Sequence, residues 1–140
     1  MKFFIPCLPV AQPRPKATAA RGFVQLYEAK KTHPIHAFKA SVKLAWKQAG
    51  EQKLDGPICA ILEFVFERPP KVAKKLGTGR LHKPKKPDLD NLSKGVLDSL
   101  NGLAYHDDGQ VVLLIASKHH AAESETPGVT VTLTTKDDHG

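Results

Sequence analysis

The chain has 140 residues, a formal net charge of +7 and a hydrophobic share of 41%, enough for one domain with a core of its own and too little for two of ordinary size. Its longest apolar runs fall far short of the roughly 20 residues of a membrane span, and Phe3-Phe4-Ile5, following one lysine and broken by Pro6 and Pro9, is not expected to be a signal peptide. Cys7 and Cys59 sit in apolar, strand-like stretches and read as buried free thiols, which suits a reducing cytoplasm.

In chain order, residues 2–8 predict a first strand ended by Pro9. Gln12-Pro13-Arg14-Pro15-Lys16 is an extended proline-rich stretch, and a loop is expected from there through Thr32. A helix is expected over 34–49. Pro34 suits a first turn, Ile35, Phe38, Val42, Ala45 and Ala49 recur at steps of three and four, and Gly50 follows. Residues 58–66 predict a strand that is apolar on both sides, with Ile58, Ala60, Leu62, Phe64 and Phe66 against Cys59, Ile61, Glu63 and Val65, as in a central strand covered on both faces.

Between Glu67 and Pro87 stand Arg68, Lys71, Lys74, Lys75, Arg80, Lys83, Lys85 and Lys86 against Glu67 alone, an excess equal to the net charge of the whole chain, +7. Pro69, Pro70, Gly77, Gly79, Pro84 and Pro87 keep this segment from forming a long helix or strand, so residues 67–87 are expected to be a mobile basic loop. Such a run is as often a solvated surface as a ligand site. Its position directly ahead of acidic residues favours phosphate binding.

A second helix is expected from about residue 90, with Leu89, Leu92, Val96, Leu100 and Leu103 near helical spacing and Asn101-Gly102 as its stop. Strands are expected over 111–117 and 129–135, the second alternating strictly between aliphatic residues and threonine, and residues 136–140 are expected to fray. The expected fold class is α/β (α+β): a single domain spanning 1–140, with one mixed sheet in the order β-α-β-α-β-β and two main helices.

Two acidic clusters carry the chemistry. Asp88 and Asp90 flank Leu89 at the entry to the second helix, and Asp107-Asp108-Gly109 precedes the next strand. Taken singly, Asp90 is a helix N-cap and Asp-Gly a turn. Together, beside excess lysine, they suit carboxylates that hold a divalent cation against phosphates drawn in by the lysines. Both clusters are expected at the same edge of the domain. Lys94, one turn after Asp90, is either an exposed partner of Asp90 or Asp98 or a cation reaching toward a scissile phosphate. His106 and the pair His119-His120 lack metal-binding spacing and read as surface or structural residues, and Trp46 as core or dimer interface.

At these residues the sequence resembles the RusA-type Holliday junction resolvases, small dimeric endonucleases common in prophages. The resemblance rests on Asp-Leu-Asp-Asn-Leu-x-Lys at residues 88–94, its continuation through residues 96–102, and Tyr105-His106-Asp107-Asp108-Gly109-Gln110-Val111. Pro13-Arg14-Pro15 resembles that family's early Arg-Pro-Arg stretch, with Lys16 where a second arginine often stands. The resemblance implies that Asp88, Asp90 and Asp108 ligate Mg2+, with Asp107 supporting or contributing, and that Lys94 is the catalytic lysine. Mn2+ should substitute, since both ions accept octahedral oxygen sites.

The expected activity is therefore resolution of four-way DNA junctions by paired symmetric nicks leaving 5′-phosphate and 3′-hydroxyl ends. The expected agent is a homodimer in which each protomer carries a complete acidic site. Arg14, Lys16, Arg21, Lys71, Lys74, Lys75, Lys83, Lys85 and Lys86 are the expected DNA contacts. The alternatives are a non-catalytic junction-binding protein and a nuclease of the same fold acting on other branched DNA.

Overall fold

The computed structural model describes the chain apart from residues 14–16, 21–22, 27–31, 71–78 and 137–140, and describes residues 17–20 and 23–26 by their backbone alone. The expected DNA contacts Arg14, Lys16, Arg21, Lys71, Lys74 and Lys75 lie outside the described side chains, as do the centre of the basic segment and nearly all of the expected frayed tail. Lys136 itself is tied, its N–H donating to the Pro57 carbonyl at 2.7 Å.

The elements are β1 (Lys2–Ile5), β2 (Ala17–Ala20), β3 (Phe23–Leu26), α1 (Pro34–Gln48), β4 (Ile58–Phe66), β5 (Leu81–His82), α2 (Leu89–Leu100), a single 3-10 turn (Asp108–Gln110), β6 (Val111–His120) and β7 (Gly128–Thr135). The expected order of strands and main helices holds. The additions are β2 and β3, which pair antiparallel where a loop was expected, and the two-residue β5. Neither addition has an alternating apolar pattern, which is why periodicity does not reveal them.

Five strands form one mixed sheet in the order β1-β7-β4-β6-β5. β4 is central, antiparallel to β7 and parallel to β6, and α2 lies on the crossover between the two parallel strands. Val129, Val131 and Leu133 of β7 pair with Phe64, Leu62 and Ala60 of β4, and all six are buried in one cluster with Ile35, Phe38 and Val42 of α1 and Leu92, Val96 and Leu100 of α2. Both helices thus cover the same face of the sheet, and α1 packs against α2 and β1.

The opposite face differs from expectation. Cys59, Ile61 and Glu63 are only half-buried, and their β6 partners Leu113 and Ile115 are exposed. β4 is central within the sheet, but only its helix-facing side is fully covered. The cysteines are free and half-buried.

Helix ends follow local chemistry. His33 caps α1, its Nδ1 accepting the Ile35 N–H at 3.0 Å, with Pro34 in the first turn. Beyond α2, Gly102 takes φ 79°, a left-handed conformation that glycine adopts without a Cβ clash. No described helix is long and apolar enough to cross a membrane.

Candidate active site

α2 begins at Leu89, which packs against the core, so the cap position falls to Asp88 and not to Asp90. Asp88 is extended (φ −69°, ψ 139°) and its side chain makes no capping hydrogen bond. Asp90 lies in the first turn, and its Oδ1 accepts the Asn91 N–H at 2.9 Å. The two carboxylates therefore diverge. Residues two apart share a side on a strand, but each helical residue rotates the side chain by about 100°.

They border different grooves. Asp90 lines one of about 300 Å³ with Ser93, Lys94, Leu97 and Asp98 of α2, Asp108 of the 3-10 turn and Leu114 of β6. Asp88 lines another, of about 610 Å³, with Ala11, Gln12, Pro13, Lys86, Pro87 and Asn91. The structure brings Asp90, Lys94 and Asp108 to one groove, as expected, and leaves Asp88 out of it. From Asp90 to Asp98 the helix advances about 12 Å, so the groove is elongated. Among the described residues no three His, Cys, Asp or Glu side chains converge to hold a metal ion. The donors present are hard carboxylate oxygens, the type that Mg2+ takes.

The far end of the groove is acidic. Tyr105 is fully buried and donates its hydroxyl to the Leu97 carbonyl at 2.5 Å. Burial holds its phenol well above the usual range, and the charges of Asp108, Asp98 and Asp107 push it further.

Gln110, in the motif block but with no role assignable from spacing, holds the turn that presents Asp108. Its Oε1 accepts the N–H groups of His106 and Asp107, and its Nε2 donates to the carbonyls of Leu54 and Gly56. Asp107 caps this turn through the Gly109 N–H at 3.1 Å, which gives it a structural task that Asp108 lacks. His106 is bonded to Asp55 at 2.7 Å.

Lys118 has no signal in the sequence at all. The register of β6 against β4 places it on the helix side, two and four residues after Ala116 and Leu114. Its ammonium donates to the carbonyls of Lys85 and Pro87, each at 2.8 Å, fixing the chain just ahead of Asp88. On the other flank the Gln12 N–H donates to the Asn91 carbonyl at 3.0 Å. The proline-rich stretch is thereby led alongside the start of α2.

Within the basic segment, charges divide by task. The Arg68 guanidinium donates to the carbonyls of Gly79 and Ala121. Arg80 is gripped by Glu125 and Glu63, and the hydrogen bonds from Arg80, with its charge, hold the Glu125 carboxyl below its usual range. Both arginines fasten the base of the segment. Lys83 rests its ammonium 4.9 Å from the centre of the Phe66 ring, while Lys85 and Lys86 are exposed beside Asp88. His119 and His120 are half-buried: they end β6 against β5, and the His119 ring lies 5.4 Å from that of His82. Trp46 is half-buried and donates its N–H to the Gln52 carbonyl.

The chain is 34% identical over 129 residues to an uncharacterized protein, YqaN, of Bacillus subtilis (strain 168), an alignment covering 88% of this chain and 89% of that protein. Residues 6–134 match the family described as endodeoxyribonuclease RusA, a span that holds both acidic clusters, the basic segment and the main sheet except β1 and the last residue of β7. The chain belongs to the RusA endodeoxyribonuclease family.

Proposed function

We propose that this protein is a magnesium-dependent, structure-selective endodeoxyribonuclease that resolves four-way DNA junctions as a homodimer, nicking two symmetric strands to leave 5′-phosphate and 3′-hydroxyl ends. The observation that carries this reading is the groove shared by Asp90, Lys94 and Asp108, lying along the same helix whose start is flanked by exposed Lys85 and Lys86.

Asp90 and Asp108, with Asp88, would hold Mg2+, and Mn2+ in its place. When bound, the ion neutralises phosphate charge and makes water a better nucleophile. The protein's own groups then have separate tasks. Lys85 and Lys86 draw the DNA backbone to the start of α2. Lys94 directs its ammonium to the scissile phosphate, where negative charge grows in the transition state. Asp90 and Asp108 orient the attacking water in line with the leaving 3′ oxygen by accepting its hydrogens. The Lys118 and Gln110 contacts hold the two acidic clusters at fixed places relative to that phosphate.

The decisive experiment compares cleavage of a synthetic mobile four-way junction with a linear duplex, with Mg2+, with Mn2+ and in EDTA. Paired nicks in the junction with either metal, and none in EDTA, are expected. Binding without nicking in any metal would make the protein a junction binder. Equal cleavage of flaps or forks would leave the nuclease and remove the junction preference.

A further inference from the structure

Two grooves follow one another along the same pair of walls, and one of them reaches the acidic residues. The groove of Asp88 has Ala11, Gln12 and Pro13 on one side and Lys86 and Pro87 on the other. A second, of about 420 Å³, continues the first wall with Leu8 and Pro9 and the other with Lys83, and Phe66, Arg68 and His120 also line it. Both walls are held. Lys118 fixes one at the carbonyls of Lys85 and Pro87, and the Gln12 N–H fixes the other at the Asn91 carbonyl.

The second groove has an aromatic floor. Phe66 packs against the core and is half-buried, and the Lys83 ammonium lies 4.9 Å from the centre of its ring, so one ring face is open to the groove. His120 pairs beside Phe66 across β4 and β6, and its Nδ1 donates to the Glu67 carbonyl at 3.1 Å, which fixes a second ring there. Leu8, 48% exposed, adds an apolar rim. Along the two grooves Arg68, Lys83, Lys85 and Lys86 outnumber Glu67 and Asp88. Fixed rings beside a line of cations are what an unpaired nucleic-acid strand requires: bases stack on the rings and phosphates meet the cations.

We infer that these two grooves form one track for an unpaired DNA strand running to the acidic site, with Phe66 as the floor on which one of its bases stacks. The inference rests on the nuclease reading above and names the form of DNA that the site takes. A stacked base is held more strongly than an exposed cation–π contact. The base therefore displaces the Lys83 ammonium from the ring, and the ammonium turns to a phosphate of the same strand. Grooves of this size suit a small molecule or a nucleotide and exclude a duplex. The chain from Lys83 to Asp88 spans at most about 18 Å. At a rise of about 3.4 Å per stacked nucleotide, the base on Phe66 lies within about five nucleotides of the phosphate at Asp88. A closed linear duplex offers no such strand, whereas branched DNA does where its arms part, which gives the site a physical reason to select branched substrates.

The test separates base stacking from charge. In EDTA, fluorescence anisotropy compares a short thymidine oligonucleotide with an abasic oligonucleotide of equal length and charge. The wild-type protein should bind the thymidine strand about tenfold more tightly. Phe66→Leu, which keeps an apolar side chain, should lose that preference with an unchanged circular dichroism spectrum. Lys83→Gln should weaken binding and flatten the salt slope by about 0.7, the value for one phosphate of a single strand. A readout without any variant comes from a strand carrying 5-iodouracil, which on irradiation should cross-link to the Phe66 peptide of the wild-type protein. Equal affinity for the two strands, a preference that survives Phe66→Leu, or cross-links that fall only elsewhere would each overturn the track. Nicking of four-way junctions by a protein with no base preference overturns the track and leaves the nuclease reading standing. Base preference and the Phe66 cross-link in a protein that nicks no DNA support the track and overturn the nuclease reading.

Discussion

The ammonium of Lys118 donates to the Pro87 carbonyl oxygen at 2.8 Å, joining the end of β6 to the last residue before the first acidic cluster. β6 thereby sets where Asp88 stands and where the basic segment ends. Lys118→Met keeps the aliphatic stem and removes both donated bonds. Stability should fall by about 1–2 kcal/mol, read as a lower urea midpoint. Nicking should fall about tenfold or more through misplacement of the α2 start, with DNA affinity little changed.

The acidic residues should separate in a defined order. Asp88→Asn, Asp90→Asn and Asp108→Asn are each expected to reduce junction nicking by about a thousandfold while leaving gel-shift binding intact or tighter through lost repulsion. Asp107→Asn should retain most activity, since an asparagine oxygen still accepts the Gly109 N–H that Asp107 accepts in the native turn. Equal loss from Asp107→Asn and Asp108→Asn would contradict the division of labour between the neighbours.

Gln110 makes four hydrogen bonds, two accepted from His106 and Asp107 beside the Asp108 turn and two donated to the chain at Leu54 and Gly56. Gln110→Leu keeps the bulk and deletes all four. A loss of about 2 kcal/mol is expected, less than four full bonds because part of the site reaches water. Thermal melting should show it directly, and nicking by the still-folded fraction should drop because Asp108 loses its fixed presentation.

Tyr105 predicts a response to alkali. Its phenol titrates well above the usual value in the folded chain, first from burial and then from Asp108, Asp98 and Asp107. A raised folded pKa means that its contribution is complete below the unfolded value of about 10 and is lost as pH rises above it. Tyr105→Phe loses the bond to the Leu97 carbonyl and should be less stable at pH 8 by about 1 kcal/mol. Between pH 8 and pH 11 its urea midpoint should fall less than that of wild type. Parallel curves would show that the phenol is not the group responsible.

The exposed lysines ahead of Asp88 should appear in the salt dependence. Lys85→Gln/Lys86→Gln should flatten the slope of log affinity against log salt by about 0.9 for each phosphate contact removed. Arg80→Gln should instead lower stability slightly, since Arg80 is occupied with Glu125 and Glu63. An unchanged slope in the lysine variant would move the DNA contact elsewhere on the surface.

What the sequence determined alone is local and periodic. Ile35, Phe38 and Val42, and Leu92, Val96 and Leu100, mark the buried stripes of both helices because a 3.6-residue turn repeats whatever it packs against. The alternation of β7 likewise marks its two faces, and the acidic clusters stand out by composition. Tertiary structure decided the rest. Which side of α2 each carboxylate faces depends on where the helix begins, and that was set one residue earlier than expected, by Leu89 meeting the core. The tie from Lys118 to Pro87, the grip of Glu125 on Arg80 and the exposure of Leu113 and Ile115 on β6 all depend on strand order, which joins residues far apart in the chain. Periodicity reports which side of an element is apolar; only the packed sheet determines which neighbour, if any, lies against it.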